Sequence, residues 1–139
     1  MEDREILKEY MLKEIEIIQN IINRMASNSF IIKGWAITLV VATLLLKGAE
    51  KYKVCIAFIP LLAFWFLDAY FLWQERMYRK LYEWVINNRL KTDEYLFDMN
   101  VYRFKDEVQS KLRIMFSKTL GWFYGPIAIL TIIYAIVLH

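Results

Sequence analysis

Two charged side chains stand inside long apolar runs of this sequence: Lys33 in FIIKGWAITLVVATLLL and Asp68 in VCIAFIPLLAFWFLDAYFLW. An ammonium or carboxylate in such a stretch costs several kcal/mol unless it is paired or watered, so each needs a partner. Lys33 lies about three residues inside the N-terminal end of its run, and Asp68 about five residues, roughly 8 Å at helical rise, from the C-terminal end of its own. On antiparallel helices these depths match, and a Lys33–Asp68 ion pair is expected. Such a pair fits a structural lock that fixes helix register, or a charge ring lining the aqueous pore of an oligomer. Without the pair, Lys33 would snorkel to the headgroups. Asp68, Glu75 and Tyr82 follow at seven-residue spacing and fall on one stripe of a continuous helix. That stripe would face either a pore vestibule or a polar seam against the N-terminal segment.

Basic residues form a second set of candidates. Arg76, Arg79 and Lys80 follow the second apolar run closely and suit solvent or lipid headgroups. Arg103, Lys105, Lys111 and Arg113 are interleaved with Tyr102 and Phe104. Cations beside aromatic faces suit a nucleotide or short single strand, which offers phosphates and stackable bases. Asp106 and Glu107 dilute that charge. Arg76, Arg79, Lys80, Arg103 and Lys105 are therefore the candidate ligand contacts. Gly121 and Gly125, in a G-x-x-x-G pair, permit close approach of two membrane helices. Pro126 beside them removes a backbone donor and is expected to bend the helix there.

Much other chemistry is disfavoured. One Cys (Cys55) and one His (His139) provide neither an intrachain disulfide nor a Cys/His zinc site. Cys55, in an apolar run, reads as a small buried hydrophobe. There is no Gly-rich phosphate loop, no nucleophile–base motif and no carboxylate spacing that suggests an acid/base pair. A non-enzyme without metal or cofactor is expected. The net charge of +3 does not by itself indicate nucleic acid.

The elements that must position these residues follow from composition and periodicity. At 58% apolar over 139 residues, the chain holds more apolar surface than one small core can hide. The excess is clumped, which points to lipid. Residues 4–26 read as an amphipathic helix, with Leu7, Met11, Ile15, Ile18, Ile22 and Met25 at intervals of three and four. Three apolar spans follow at Phe30–Leu46, Val54–Trp73 and Thr119–Leu138, each near membrane length. Lys47–Lys53 forms the turn between the first two, and a local kink is expected at Pro60.

Residues 74–89 lack a breaker and should prolong the second helix, packing through Met77, Leu81, Trp84 and Val85. Thr92 or Asp93 looks like an N-cap, with one or two helices over 95–118. The fold class is thus an all-α membrane protein: an N-terminal amphipathic helix (1–29), a transmembrane hairpin (30–73), a helical segment (74–118) and a third transmembrane helix (119–138). The first apolar run begins too late, behind too acidic a segment, for a secretory signal. Lys and Arg counts place the N-terminus and the 74–118 segment in the cytoplasm, with the 47–53 turn and His139 outside.

Two stretches carry a family resemblance: INRMASNSFIIKGW at residues 22–35 and FWFLDAYFLWQERMYRKLY at residues 64–82. Over roughly residues 15–85 the chain resembles the SLATT-like membrane effectors of bacterial anti-phage systems, including the effector of the Hailong type. The third span goes beyond a two-span SLATT layout. The resemblance implies an oligomeric inner-membrane channel or pore acting in abortive infection. It also implies gating by a nucleotide or oligonucleotide made by a partner nucleotidyltransferase. It carries over no ligand-binding residue. A non-conducting adaptor that recruits a cytoplasmic partner is the alternative.

Overall fold

The computed structural model describes residues 1–46 and 50–137. Residues 47–49 of the predicted turn, the last residue of the third span (Leu138) and His139 lie outside the described residues. The elements in chain order are α1 (Glu2–Leu45), α2 (Glu50–Asn88), a 3-10 helix (Val101–Glu107), α3 (Lys111–Met115) and α4 (Lys118–Val137). No strand occurs among the described residues. α1, α2 and α4 are long and apolar enough to cross a membrane. Phe30, Ile59, Leu130 and Ile136 on these helices are each more than half exposed. Such faces need hydrocarbon around them, as in a multi-pass membrane protein.

α1 joins the predicted amphipathic helix and the first span into one helix, because Ser27-Asn28-Ser29 contains no Gly or Pro to break it. Acidic Glu2, Asp3 and Glu5 sit in its first turn, where they oppose the positive end of the helix dipole. α2 likewise continues through Pro60 and on through Asn88. The predicted turn ends sooner than Lys53, since residues 50–53 are already helical and hold no breaker.

The described chain forms two compact units. Unit 1 comprises Met1–Ser27 and Leu72–Gln109, and unit 2 comprises Asn28–Phe71 and Ser110–His139. In unit 1, Ile18 and Ile22 of α1 pack with Met77, Leu81 and Val85 of α2, and Val101 and Phe104 of the 3-10 helix close the core. Met77, Leu81 and Val85 are the packing face that helical spacing predicts, with Trp84 half-buried at its edge. In unit 2 the buried apolar residues include Ile32, Ala36 and Val40 of α1, Ala57 and Leu61 of α2, and Leu120 of α4. Cys55 corrects its expected burial: it is exposed on α2, where only one face of the span packs on protein.

The segment 93–110 departs from the expected helices. Thr92 Oγ1 accepts from the Glu94 N–H at 3.1 Å, but turns follow instead of a helix. Tyr95 (φ 55°) and Phe97 (φ 54°) occupy the left-handed region, which an α-helix cannot include. Asp98 Oδ1 accepts from Asn100 N–H, and Asn100 Oδ1 from Tyr102 N–H, local bonds that compete with the helix ladder. Regular α-structure resumes only when Ser110 caps α3.

Candidate functional site

The charged residues of the apolar spans meet in unit 2. Lys33 Nζ lies 2.6 Å from Asp68 Oδ2 and donates to Ser29 Oγ at 2.7 Å. Ser29 stands four residues before Lys33 on α1, one turn away, and donates its own hydroxyl to Asp68 Oδ1. From α4, the Tyr124 hydroxyl donates to Asp68 Oδ2 at 2.9 Å. The Asp68 carboxylate, 0% exposed, thus receives a hydrogen bond from Ser29, Lys33 and Tyr124. One buried carboxylate ties together α1, α2 and α4.

Aromatic packing sets the position of the Tyr124 hydroxyl. The Tyr124 ring stacks on Trp65, with centroids 5.6 Å apart and planes at 10°. Trp65 stands three residues before Asp68 on α2, so one helix face offers both the stacking surface and the acceptor. Trp65 Nε1 is held by Met115 O at 2.7 Å, and Phe116 meets the Trp65 ring edge-on. Lys33 Nζ also lies 5.7 Å from the centroid of the Phe123 ring, within cation–π range. Farther along α1 and α4, Tyr134 donates to Leu44 O at 3.2 Å, satisfying one of the last carbonyls of α1.

Glu75, on the seven-residue stripe with Asp68, accepts from Arg79 Nη2 at 2.7 Å on the same helix. Among the basic candidates, Lys80 pairs with Glu83 at 3.4 Å, and Arg76 donates to Gln109 Oε1 at 3.4 Å. Lys105 is exposed on the 3-10 helix. Arg103 differs from these. Its guanidinium carbon lies 4.1 Å from the Tyr95 ring centroid, 4.8 Å from Phe104 and 4.9 Å from Trp84, while its Nε and Nη2 are buried without a hydrogen-bond partner. Gly125 has open space where a Cβ would stand, and Gly121 has only the Phe116 backbone carbonyl group nearby, at 3.8 Å. Among the described residues, no other helix approaches either glycine closely.

Unit 1 holds a second buried charge pair. Arg89 Nε donates to Glu14 Oε2 at 2.6 Å, and Arg89 Nη2 to Glu14 Oε1 at 2.9 Å. The same guanidinium also reaches the carbonyls of Thr92, Glu94 and Tyr95. Glu14 Oε1 additionally accepts from the Phe97 N–H at 2.9 Å. The pair therefore holds the backbone that turns left-handed at Tyr95 and Phe97. Sequence reasoning missed this pair and also missed Ser29 and Tyr124. The available signals were a carboxylate (Glu14) on the apolar stripe of Met11, Ile18 and Ile22, and hydroxyls within or beside apolar spans.

No group of acidic, Cys or His side chains among the described residues could hold a metal ion. No family model, curated protein or solved structure matches this chain.

Proposed function

We propose that the chain is the protomer of an oligomeric inner-membrane effector, an ion channel or pore gated by a nucleotide-type signal in anti-phage defence. In this reading the N-terminal arm and residues 74–118 are cytoplasmic, and the end of α4 is outside. The observation that carries the reading is the Ser29–Lys33–Asp68–Tyr124 cluster. Apolar helices can be held together by packing alone, without a carboxylate whose desolvation is costly. The cluster's bonds are also exchangeable: Lys33 and Tyr124 share Asp68 Oδ2, and Ser29 bridges Lys33 and Asp68. Displacing one helix would leave a charge seeking water, a change between two packings. Arg103 and Lys105 remain the cations proposed to sense the ligand, and the open Gly121/Gly125 face supports association of copies.

Ion flux from liposomes tests this reading. Asp68→Asn and Lys33→Ala should alter flux while leaving membrane insertion intact. If both variants conduct as the unmodified protein does, the cluster has no part in a pore.

The non-conducting adaptor is favoured by a specific observation. Asp68 is fully bonded within one chain, as a structural lock requires, and Arg79 and Lys80 are engaged in local ion pairs. An adaptor passes no ions at any nucleotide concentration, so the same flux assay separates the two readings.

A further inference from the structure

From Val108 to Val137 the chain carries Lys111, Arg113 and Lys118 and no carboxylate. Lys111 and Arg113 lie within α3 and Lys118 opens α4, just where the apolar span begins. Beside them stand three large apolar side chains that are mostly exposed: Leu112 is 65% exposed, Phe116 74% and Trp122 79%. The opposite side of the segment is anchored. Ile114 is fully buried, Met115 O accepts from Trp65 Nε1, and Lys111 Nζ lies 5.9 Å from the Phe66 and Tyr70 ring centroids. The outward orientation of Leu112 and Phe116 is therefore set by what α3 buries. Arg113 and Lys118 are exposed beside them.

We propose that residues 112–122 form an interfacial element that seats anionic phospholipid. Leu112, Phe116 and Trp122 would lie at the boundary between headgroups and acyl chains, where aromatic rings concentrate. Arg113 and Lys118, both exposed, pair with headgroup phosphates, and with no carboxylate in the sequence from Val108 to Val137 an anionic lipid is the complementary occupant. A water-facing role would leave three large apolar side chains in solvent within an eleven-residue stretch. The inference rests on the membrane-spanning helices and is independent of conduction.

The test is a nitroxide depth measurement in nanodiscs, on full-length protein carrying Cys55→Ser and either Phe116→Cys or Ile133→Cys. The label at 133 should report the hydrocarbon, and the label at 116 should report headgroup depth, shielded from aqueous nickel. Replacing part of the phosphatidylcholine with phosphatidylglycerol should deepen the label at 116. Native mass spectrometry should show phosphatidylglycerol retained several-fold over phosphatidylcholine, with Arg113→Gln/Lys118→Gln bringing the two lipids to parity. A buried label at 133 with a water-exposed label at 116, or equal lipid retention before and after the double substitution, overturns the proposal and leaves the channel reading standing. Water exposure at both positions would overturn the spanning assignment on which both readings depend.

Discussion

Arg89 and Glu14, seventy-five residues apart, meet as a two-bond ion pair in the interior of unit 1, the guanidinium 0% and the acid 1% exposed. The fork–fork geometry satisfies both charges, and the remaining donors of Arg89 fall on backbone carbonyls of residues 92–95. A pair of this kind serves the loop more than the helices. It is the means by which a segment with two left-handed residues keeps a single conformation.

Truncating either partner leaves a buried charge alone, at a cost of about 3–5 kcal/mol. Arg89→Ala and Glu14→Ala should each lower the unfolding midpoint in detergent strongly and open residues 92–97 to limited proteolysis. Double replacement by apolar residues, Glu14→Leu with Arg89→Met, should recover much of the midpoint but not the protease resistance. The carbonyls of Thr92, Glu94 and Tyr95 would still lack their donor.

The same logic applies in unit 2, with a different control. Lys33→Met strands Asp68 as an uncompensated carboxylate and should destabilise the protein by about 3–5 kcal/mol. Adding Asp68→Leu removes the stranded charge, so the double variant should be more stable than Lys33→Met alone. Thermal unfolding in detergent, monitored by helical circular dichroism, reads the difference. Equal midpoints for the single and double variants would show that Asp68 is not desolvated.

Tyr124→Phe isolates one bond of the cluster. It deletes the donor to Asp68 Oδ2 and keeps the ring that stacks on Trp65. A hydrogen bond to a charged acceptor contributes about 1.5–3 kcal/mol. The unfolding midpoint should fall accordingly, while Trp65→Phe with Tyr124 intact should cost stability through lost packing and a lost bond to Met115 O.

The long helices were legible in the sequence because the apolar periodicity runs from Leu7 to Leu45, with the polar Ser27-Asn28-Ser29 as an interruption that the structure bridges, and from Val54 to Val85, with Pro60 inside it. Continuity then made the matching depths of Lys33 and Asp68 informative, since residues on straight antiparallel helices meet at predictable heights. Residues 93–110 were not legible in this way. Their course is decided by Arg89, Glu14 and two side-chain-to-backbone turns at Asp98 and Asn100, and those competing bonds leave no periodic trace. The Tyr124 hydroxyl was a signal, but an ambiguous one: nothing local in an apolar span tells a lipid-facing tyrosine from one that reaches a carboxylate on another helix.

Gly121 and Gly125 allow a prediction that separates folding from assembly. A Cβ at Gly125 meets nothing, and one at Gly121 only ordinary contact with the Phe116 backbone. Gly125→Ala should therefore leave the protomer's fold intact and, by restricting the unfolded backbone, stabilise the helix by about 0.5–1 kcal/mol. If copies associate through this face, bulk there acts chiefly between chains. Gly121→Ile/Gly125→Ile should then reduce the mass of the detergent-solubilised complex, measured by light scattering, without changing helical content. An unchanged mass would remove the Gly121/Gly125 face of α4 from the assembly surface.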